Sequence, residues 1–167
     1  MATSRARGAL PRDFVILKAG NAPPALIARR DFCFVEAFVE LAFEKQGGLI
    51  PAILQDHLSK EVLMLGYVNP LALAETWKSG EVHFFSRSRN QLWKKGETSG
   101  HVLRLKQALV DCDADALLLL VEPVGPGVCH EGYRSCFFRE LSANGHARII
   151  AEKTFSTEQV YGQQGEK

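Results

Sequence analysis

The spacing of apolar residues along the chain changes from helical to alternating and back, and these changes divide it into elements. Asp31 can cap a helix that carries Phe34, Phe38 and Leu41 on one face, at spacings of four and three, and Gly47-Gly48 ends it. The pattern then turns to strands. Residues 49–54 and 61–68 flank a polar turn with Asp56 and Ser59, which predicts a hairpin. Asn69 followed by Pro70 starts a short helix over 71–79, and Gly80 stops it. Residues 81–88, 101–110, 116–124 and 134–141 read as further strands. Asn144-Gly145 is a strong turn signal, so residues 147–155 are expected to fold back as a hairpin partner. About seven strands and two helices make an α+β, strand-dominated chain. It has no internal repeat and no low-complexity tract. Residues 1–30, with Pro23-Pro24, carry little pattern and read as an extension; 31–141 form the main domain, and 142–167 a hairpin strand and tail.

Composition adds mostly exclusions. Of 167 residues, 46% are apolar and 23% charged, enough for one domain with a real core. A formal net charge of +1 gives no sign of nucleic acid or an anionic membrane as partner. The strongest apolar run, 116–121, is far too short to span a bilayer, and the N-terminus lacks the apolar segment of a secretory signal. Arg5, Arg7 and Arg12, with no acid before Asp13, faintly resemble an organelle transit peptide; the plainer reading is a basic tail. A cytoplasmic protein is expected. In a reducing compartment, four cysteines that cluster point to metal or catalysis rather than disulfides.

Asp111-Cys112-Asp113-Ala114-Asp115 is the most unusual local sequence. If it is extended, the three carboxylates share one face and Cys112 points to the other. Carboxylates so close repel one another unless a cation neutralises them, and hard oxygen ligands suit magnesium or calcium. A calcium loop of the EF-hand type is excluded, because Ala116 stands where that loop needs glycine. An exposed acidic turn is the plain alternative. The second cluster runs from Cys129 through His130, Glu131 and Gly132 to Cys136. A cysteine taken singly is more often a small buried hydrophobe than a ligand, and Cys33 on the first helix is read that way. Three cysteines within 25 residues, beside Asp and His, point instead to zinc on Cys112, Cys129 and Cys136. Three thiolates leave one tetrahedral position. Water there makes the site catalytic, with His130 as general acid or base; His130 there makes it a closed structural site. His57 and His146 fall in turns and read as solvated, and His83 and His101 are ambiguous.

Ser86-Arg87-Ser88-Arg89 ends a strand, and Trp93 to Gly100 follow closely. Arg87, Ser88, Trp93, Lys95, Gly96, Glu97, Thr98, Ser99 and Gly100 are candidates for binding a phosphorylated ligand, since hydroxyls, cations and free glycine N–H groups suit phosphate. The segment does not fit the P-loop pattern, and a solvated loop is the equal alternative.

Together these segments resemble the phosphoribosyl-AMP cyclohydrolases of histidine biosynthesis, over residues 41 to 139. The matching runs are Gly48 to Ile53, Glu61 to Leu65, Gly80 to Ser88, Leu92 to Gly100, the DCDAD run and Ser135-Cys136-Phe137. The family usually has Cys-His-Thr-Gly where this chain has Cys129-His130-Glu131-Gly132, and the loop before Cys129 is one residue longer here, through Gly125-Pro126-Gly127. Some relatives carry a fused pyrophosphohydrolase domain; the 26 residues after Leu141 are too few for it, so a monofunctional form is expected. The resemblance implies hydrolytic opening of the adenine ring of 1-(5-phosphoribosyl)-AMP at the N1–C6 bond. It implies zinc on Cys112, Cys129 and Cys136, His130 moving protons, and magnesium on Asp111, Asp113 and Asp115. The implied fold is a mixed, curved, pseudo-barrel-like sheet in an intertwined homodimer with the zinc site shared between chains. Two alternatives come from other classes. A nucleobase deaminase would need His-x-Glu with Pro-Cys-x-x-Cys, which is absent. A zinc-stabilised binding module would turn nothing over.

Overall fold

A computed structural model describes residues 39–162 of the chain. The expected helix from Asp31, with Cys33, and the extension 1–30 fall outside the described residues, apart from the helix's end. There a 3-10 turn, Phe43–Gln46, stops at Gly47, whose left-handed φ of 67° lets the following Gly48 N–H reach Phe43 O at 2.9 Å.

The strands are β1 (Ile50–Asp56), β2 (Val62–Val68), β3 (His83–Ser86), β4 (Gln91–Lys94), β5 (Leu103–Val110), β6 (Leu117–Pro123), β7 (Arg139–Leu141) and β8 (Ala147–Ile149); the helices are α1 (Pro70–Ser79) and α2 (Thr157–Tyr161). The main sheet has the order β2-β1-β6-β5 and is open and mixed: β1 pairs β2 antiparallel, β1 pairs β6 parallel, and β6 pairs β5 antiparallel. β3 with β4, and β7 with β8, form two small hairpins.

Alternation along β1 and β6 sends Ile50, Ala52, Leu54, Leu117, Leu119 and Val121 into the core, all buried. α1 and β3 cover that face. Asn69 caps α1, its Oδ1 accepting the Ala72 N–H at 2.8 Å, with Pro70 at the first helical position. Inside α1, Thr76 Oγ1 donates to Ala72 O at 2.8 Å and accepts the His83 N–H at 2.9 Å, which fastens the helix to the start of β3. Phe84 of β3 is wholly buried over Gly66 of β2. A Cβ on Gly66 would sit 2.3 Å from the Phe84 ring, so only glycine admits this contact. The Phe84 ring in turn backs Trp93, with centroids 5.0 Å apart.

The hairpin β1–β2 and helix α1 form as the spacing predicts, and the hairpin through Asn144-Gly145 forms with its returning strand, expected over 147–155, cut to Ala147–Ile149. Three further expectations change. The strand expected over 134–141 is formed only at Arg139–Leu141, because Ser135 and Cys136 bond to the edge of β2: Cys136 N–H donates to Leu63 O at 2.7 Å and Ser135 Oγ to Val62 O at 2.8 Å. The strand expected over 81–88 ends at Ser86, and a turn joins it to β4, which the pattern did not predict. The segment 111–115 is a turn rather than an extended strand. Ala114 there takes a left-handed φ of 60°, and Asp111 Oδ1 accepts the N–H groups of Asp115 at 3.0 Å and Ala116 at 3.1 Å. The helix α2 was also not expected.

Candidate active site

The candidate site is a cleft of about 460 Å³ between the Lys95–Gly100 loop and the cysteine loop. Glycine sets the first wall. Gly96 has a φ of 82°, and a Cβ there would lie 2.4 Å from the His101 backbone, so neither strain nor space permits a side chain. Lys95 precedes it, anchored by its N–H to Val82 O at 3.0 Å, and is buried. Burial pushes the Lys95 ammonium below its ordinary pKa, against the pull of the Cys136 and Cys129 sulfurs nearby.

The second wall is the loop 128–136. It closes on itself through Val128 N–H to Arg134 O and Cys129 N–H to Tyr133 O, both 3.0 Å, and Gly132 N–H to Cys129 O at 3.1 Å. Its outgoing end is pinned to the β1–β2 hairpin. Arg134 donates from Nε to Glu61 at 2.7 Å and from its other arm to Asp56. Burial would raise the Asp56 carboxyl, but N–H groups of Leu58 and Ser59 and the Arg134 charge outweigh it, and its pKa lies below the usual carboxylate value. At neutral pH Asp56 therefore meets Arg134 as a carboxylate.

This loop brings two thiols together. Cys129 is buried, and Cys136 keeps part of its surface in solvent at the cleft. Burial of its thiol, and then the adjacent Cys129, push the Cys136 pKa up to about 12. Two sulfurs so placed ionise together only beside a cation, and soft thiolates select zinc. The donor set thus fits the metal.

The expected ligand-binding residues divide. Trp93, Lys95, Gly96, Glu97, Thr98 and Ser99 line the cleft, as do His130 and Cys136. Arg87 and Ser88 do not: the Arg87 guanidinium stacks on the Tyr67 ring at 3.9 Å, and the Ser88 hydroxyl lies 3.4 Å from that of Ser86. Gly100 closes the loop, its N–H on Gly96 O at 2.8 Å, without lining the cleft. The structure adds Arg89, Lys94 and Tyr161. Arg89 and Lys94 stand in the same basic runs as the expected residues, and their charge was the signal for them. Tyr161 is far along the chain, and nothing local marks it.

Cys112 stands apart. Among the described residues, the only three His, Cys, Asp or Glu side chains with ligand atoms all within 4.8 Å of one another are Asp111, Asp113 and Asp115. Neither Cys112 nor His130 makes such a set with Cys129 and Cys136 within one chain. The aspartates already have a cation: Lys45 Nζ donates to Asp113 O and Oδ2, both at 3.0 Å, and to Asp115 Oδ2 at 3.4 Å. Hydrogen bonding to Lys45 first, and its charge next, hold the Asp113 carboxyl below the usual range. Three carboxylates this close also fit a hard divalent ion.

Among the described residues no helix is long and apolar enough to cross a membrane. Comparison with known proteins gives one consistent result. The family model described as phosphoribosyl-AMP cyclohydrolase matches residues 64–138, which include the cleft loop, Cys112 and both cysteines of the second loop. A phosphoribosyl-AMP cyclohydrolase of Methanosarcina barkeri is 53% identical over 131 residues, covering 78% of this chain and 98% of that protein. One from Desulforapulum autotrophicum is 53% identical over 123 residues, covering 74% of this chain and 98% of its own length. One from Solibacter usitatus is 51% identical over 124 residues, with 74% and 98% covered. With half of all positions shared over nearly the whole of these relatives, the chain belongs to the phosphoribosyl-AMP cyclohydrolase family.

Proposed function

We propose that this chain hydrolyses 1-(5-phosphoribosyl)-AMP, adding water at C6 of the adenine ring and breaking its bond to N1, in histidine biosynthesis. The relatives' name supports the substrate, and one observation carries the chemistry: two adjacent thiols, buried Cys129 and exposed Cys136, at a cleft that also holds His130, Trp93 and cations. The ribosyl group on N1 makes the ring cationic and C6 electrophilic. Oxygen of water bonds to C6, the C6–N1 pair of electrons returns to N1, and a proton moves from the water to the leaving nitrogen. His130, on the cleft wall, carries that proton. Arg89, Lys94 and Lys95 meet the phosphates, and Trp93 offers its ring to the base. Cys112, Cys129 and Cys136 would hold zinc, whose Lewis acidity makes water a nucleophile near neutral pH. Asp111, Asp113 and Asp115 would hold magnesium, in place of Lys45.

The third thiol comes from a second copy of the chain in this reading. Leu65, Ile53, Leu118 and Leu109 form one row across the outer face of the sheet, in register on four strands. Leu65, Ile53 and Leu109 are 43%, 38% and 41% exposed, an apolar surface that a homodimer would cover. Symmetry then makes two equal zinc sites. The catalytic domain spans 31–141, with 1–30 as an extension and 142–167 as a tail. Free thiols at the site suit the reducing cytoplasm.

The test is the ultraviolet change on incubating the protein with phosphoribosyl-AMP, zinc and magnesium. Ring opening without ammonia is expected; ammonia release would make it a deaminase, and no change would remove the enzyme reading. For the dimer, Cys112→Ala and Cys136→Ala chains, each inactive, should on joint refolding recover up to about a quarter of wild-type activity from random pairing. Heterodimers without activity would put all three ligands in one chain.

A further inference from the structure

The cleft is completed by a segment beyond both loops. Lys153 pairs with Tyr133 through an isolated antiparallel bridge. Gly132 O accepts the N–H of Thr154 at 2.8 Å and of Phe155 at 3.4 Å, and the Thr154 hydroxyl at 3.3 Å. The approach leaves no room for a side chain at two glycines, Gly127 and Gly132. A Cβ on Gly132 would lie 2.7 Å from Phe155 O, and one on Gly127 2.7 Å from Thr154 Oγ1. Phe155 then meets His101 edge to face, with centroids 4.6 Å apart at 87°. His101 follows the Lys95–Gly100 loop directly, so three consecutive residues, 153–155, tie the two walls of the cleft together. The helix α2 begins at once and delivers Tyr161 to the cleft, where it lines the same space as Trp93, Lys95 and Cys136. The strap 153–155 and the helix α2 lie beyond the stretch 64–138 that matches the family model.

The contents of the cleft say what Tyr161 meets. Arg89, Lys94 and Lys95 supply charge for phosphates, and Trp93 and Tyr161 are its two large aromatic side chains. One side of Trp93 is already packed on Phe84. A nucleotide brings anionic groups and one flat, weakly polar base, and the base is what a tyrosine ring recognises best.

We propose that Tyr161 is a substrate-contacting residue, its ring packing against the purine, and that residues 153–155 are the strap that holds it in place; this deepens the nucleotide reading above and rests on it. The test uses the full, zinc-loaded chain with two readouts: KM and kcat on phosphoribosyl-AMP, and direct calorimetric binding of AMP, which needs no turnover. Tyr161→Ala should raise KM and weaken AMP binding about ten-fold each, with kcat unchanged, and Tyr161→Phe should restore both. Unchanged KM and AMP affinity in Tyr161→Ala overturns the assignment, as does a phenylalanine that fails to restore them. If Tyr161→Ala does not fold, a chain ending at Ser156 keeps the strap and loses α2; AMP affinity equal to that of the full chain then overturns it equally. A wild type that binds AMP but opens no ring removes the proposed reaction while the AMP arm still decides for Tyr161. A wild type that binds no AMP removes the inference itself.

Discussion

The two acidic or thiol-rich segments of this chain meet the same physical problem in opposite ways. Asp111–Asp115 crowds carboxylates in an exposed turn, where solvent and the tethered ammonium of Lys45 relieve the repulsion. The 129–136 loop crowds the buried Cys129 thiol against that of Cys136 on the cleft; its cation is Lys95, which burial disfavours, and the Cys136 pKa is driven up to about 12. The first arrangement is self-sufficient as it stands. The second keeps the Cys136 thiol protonated at neutral pH, and a soft cation is what would displace that proton. The contrast separates carboxylates that a side-chain cation already meets from thiols whose chemistry suits a soft metal.

The sharpest test of that contrast is removal of one thiol. Cys129→Ala should abolish zinc binding and activity together, measured as metal per chain and turnover; full zinc in this variant would put the metal elsewhere. His130→Ala should remain folded and zinc-loaded yet lose about 100- to 10,000-fold in kcat, the scale of a general acid–base group. Loss of zinc with His130 would instead make it a ligand and the loop a closed structural site. Asp113→Asn should cut magnesium-dependent turnover sharply while zinc content holds, since hard and soft donors select different ions. A wild type indifferent to magnesium would break the contrast at the aspartate end. The smallest effect belongs to Lys45. Lys45→Met removes the tethered competitor and should tighten Mn2+ binding at the aspartates about two- to five-fold by calorimetry, the scale of exposed ion pairs. Weaker binding would show that Lys45 organises the turn rather than competing for it.

Local chemistry made much of this legible. The Asn69-Pro70 start and Gly80 stop fix α1 because they act within one helical turn. The Asn144-Gly145 hairpin follows from turn geometry alone. The run from Trp93 to Ser99 lines the cleft because the end of β4 and the tight loop that follows it are consecutive in the chain. Where the expectation was wrong, a longer-range contact had overruled the pattern. Residues 134–136 alternate like a strand, yet Arg134 reaches Asp56 and Glu61, and Ser135 and Cys136 spend their hydrogen bonds on β2. The Asp111–Asp115 segment also alternates, but Asp111 Oδ1 caps its own turn, so the carboxylates converge through a bend rather than along a strand face.

The sequence by itself determined the residue chemistry: three cysteines, a histidine and a triple aspartate at family spacing, with a glycine-bounded basic loop. Those identities are covalent and do not depend on folding. Only the tertiary structure decided which groups share a space. It put Cys136 and His130 on one cleft with Lys95, kept Cys112 away from that pair within the chain, turned Arg87 onto Tyr67, and brought Tyr161 across from the far end of the chain. Convergence of this kind depends on strand order, on backbone approaches that only glycine permits, and on contacts between residues tens of positions apart. None of these is encoded in the spacing of neighbours.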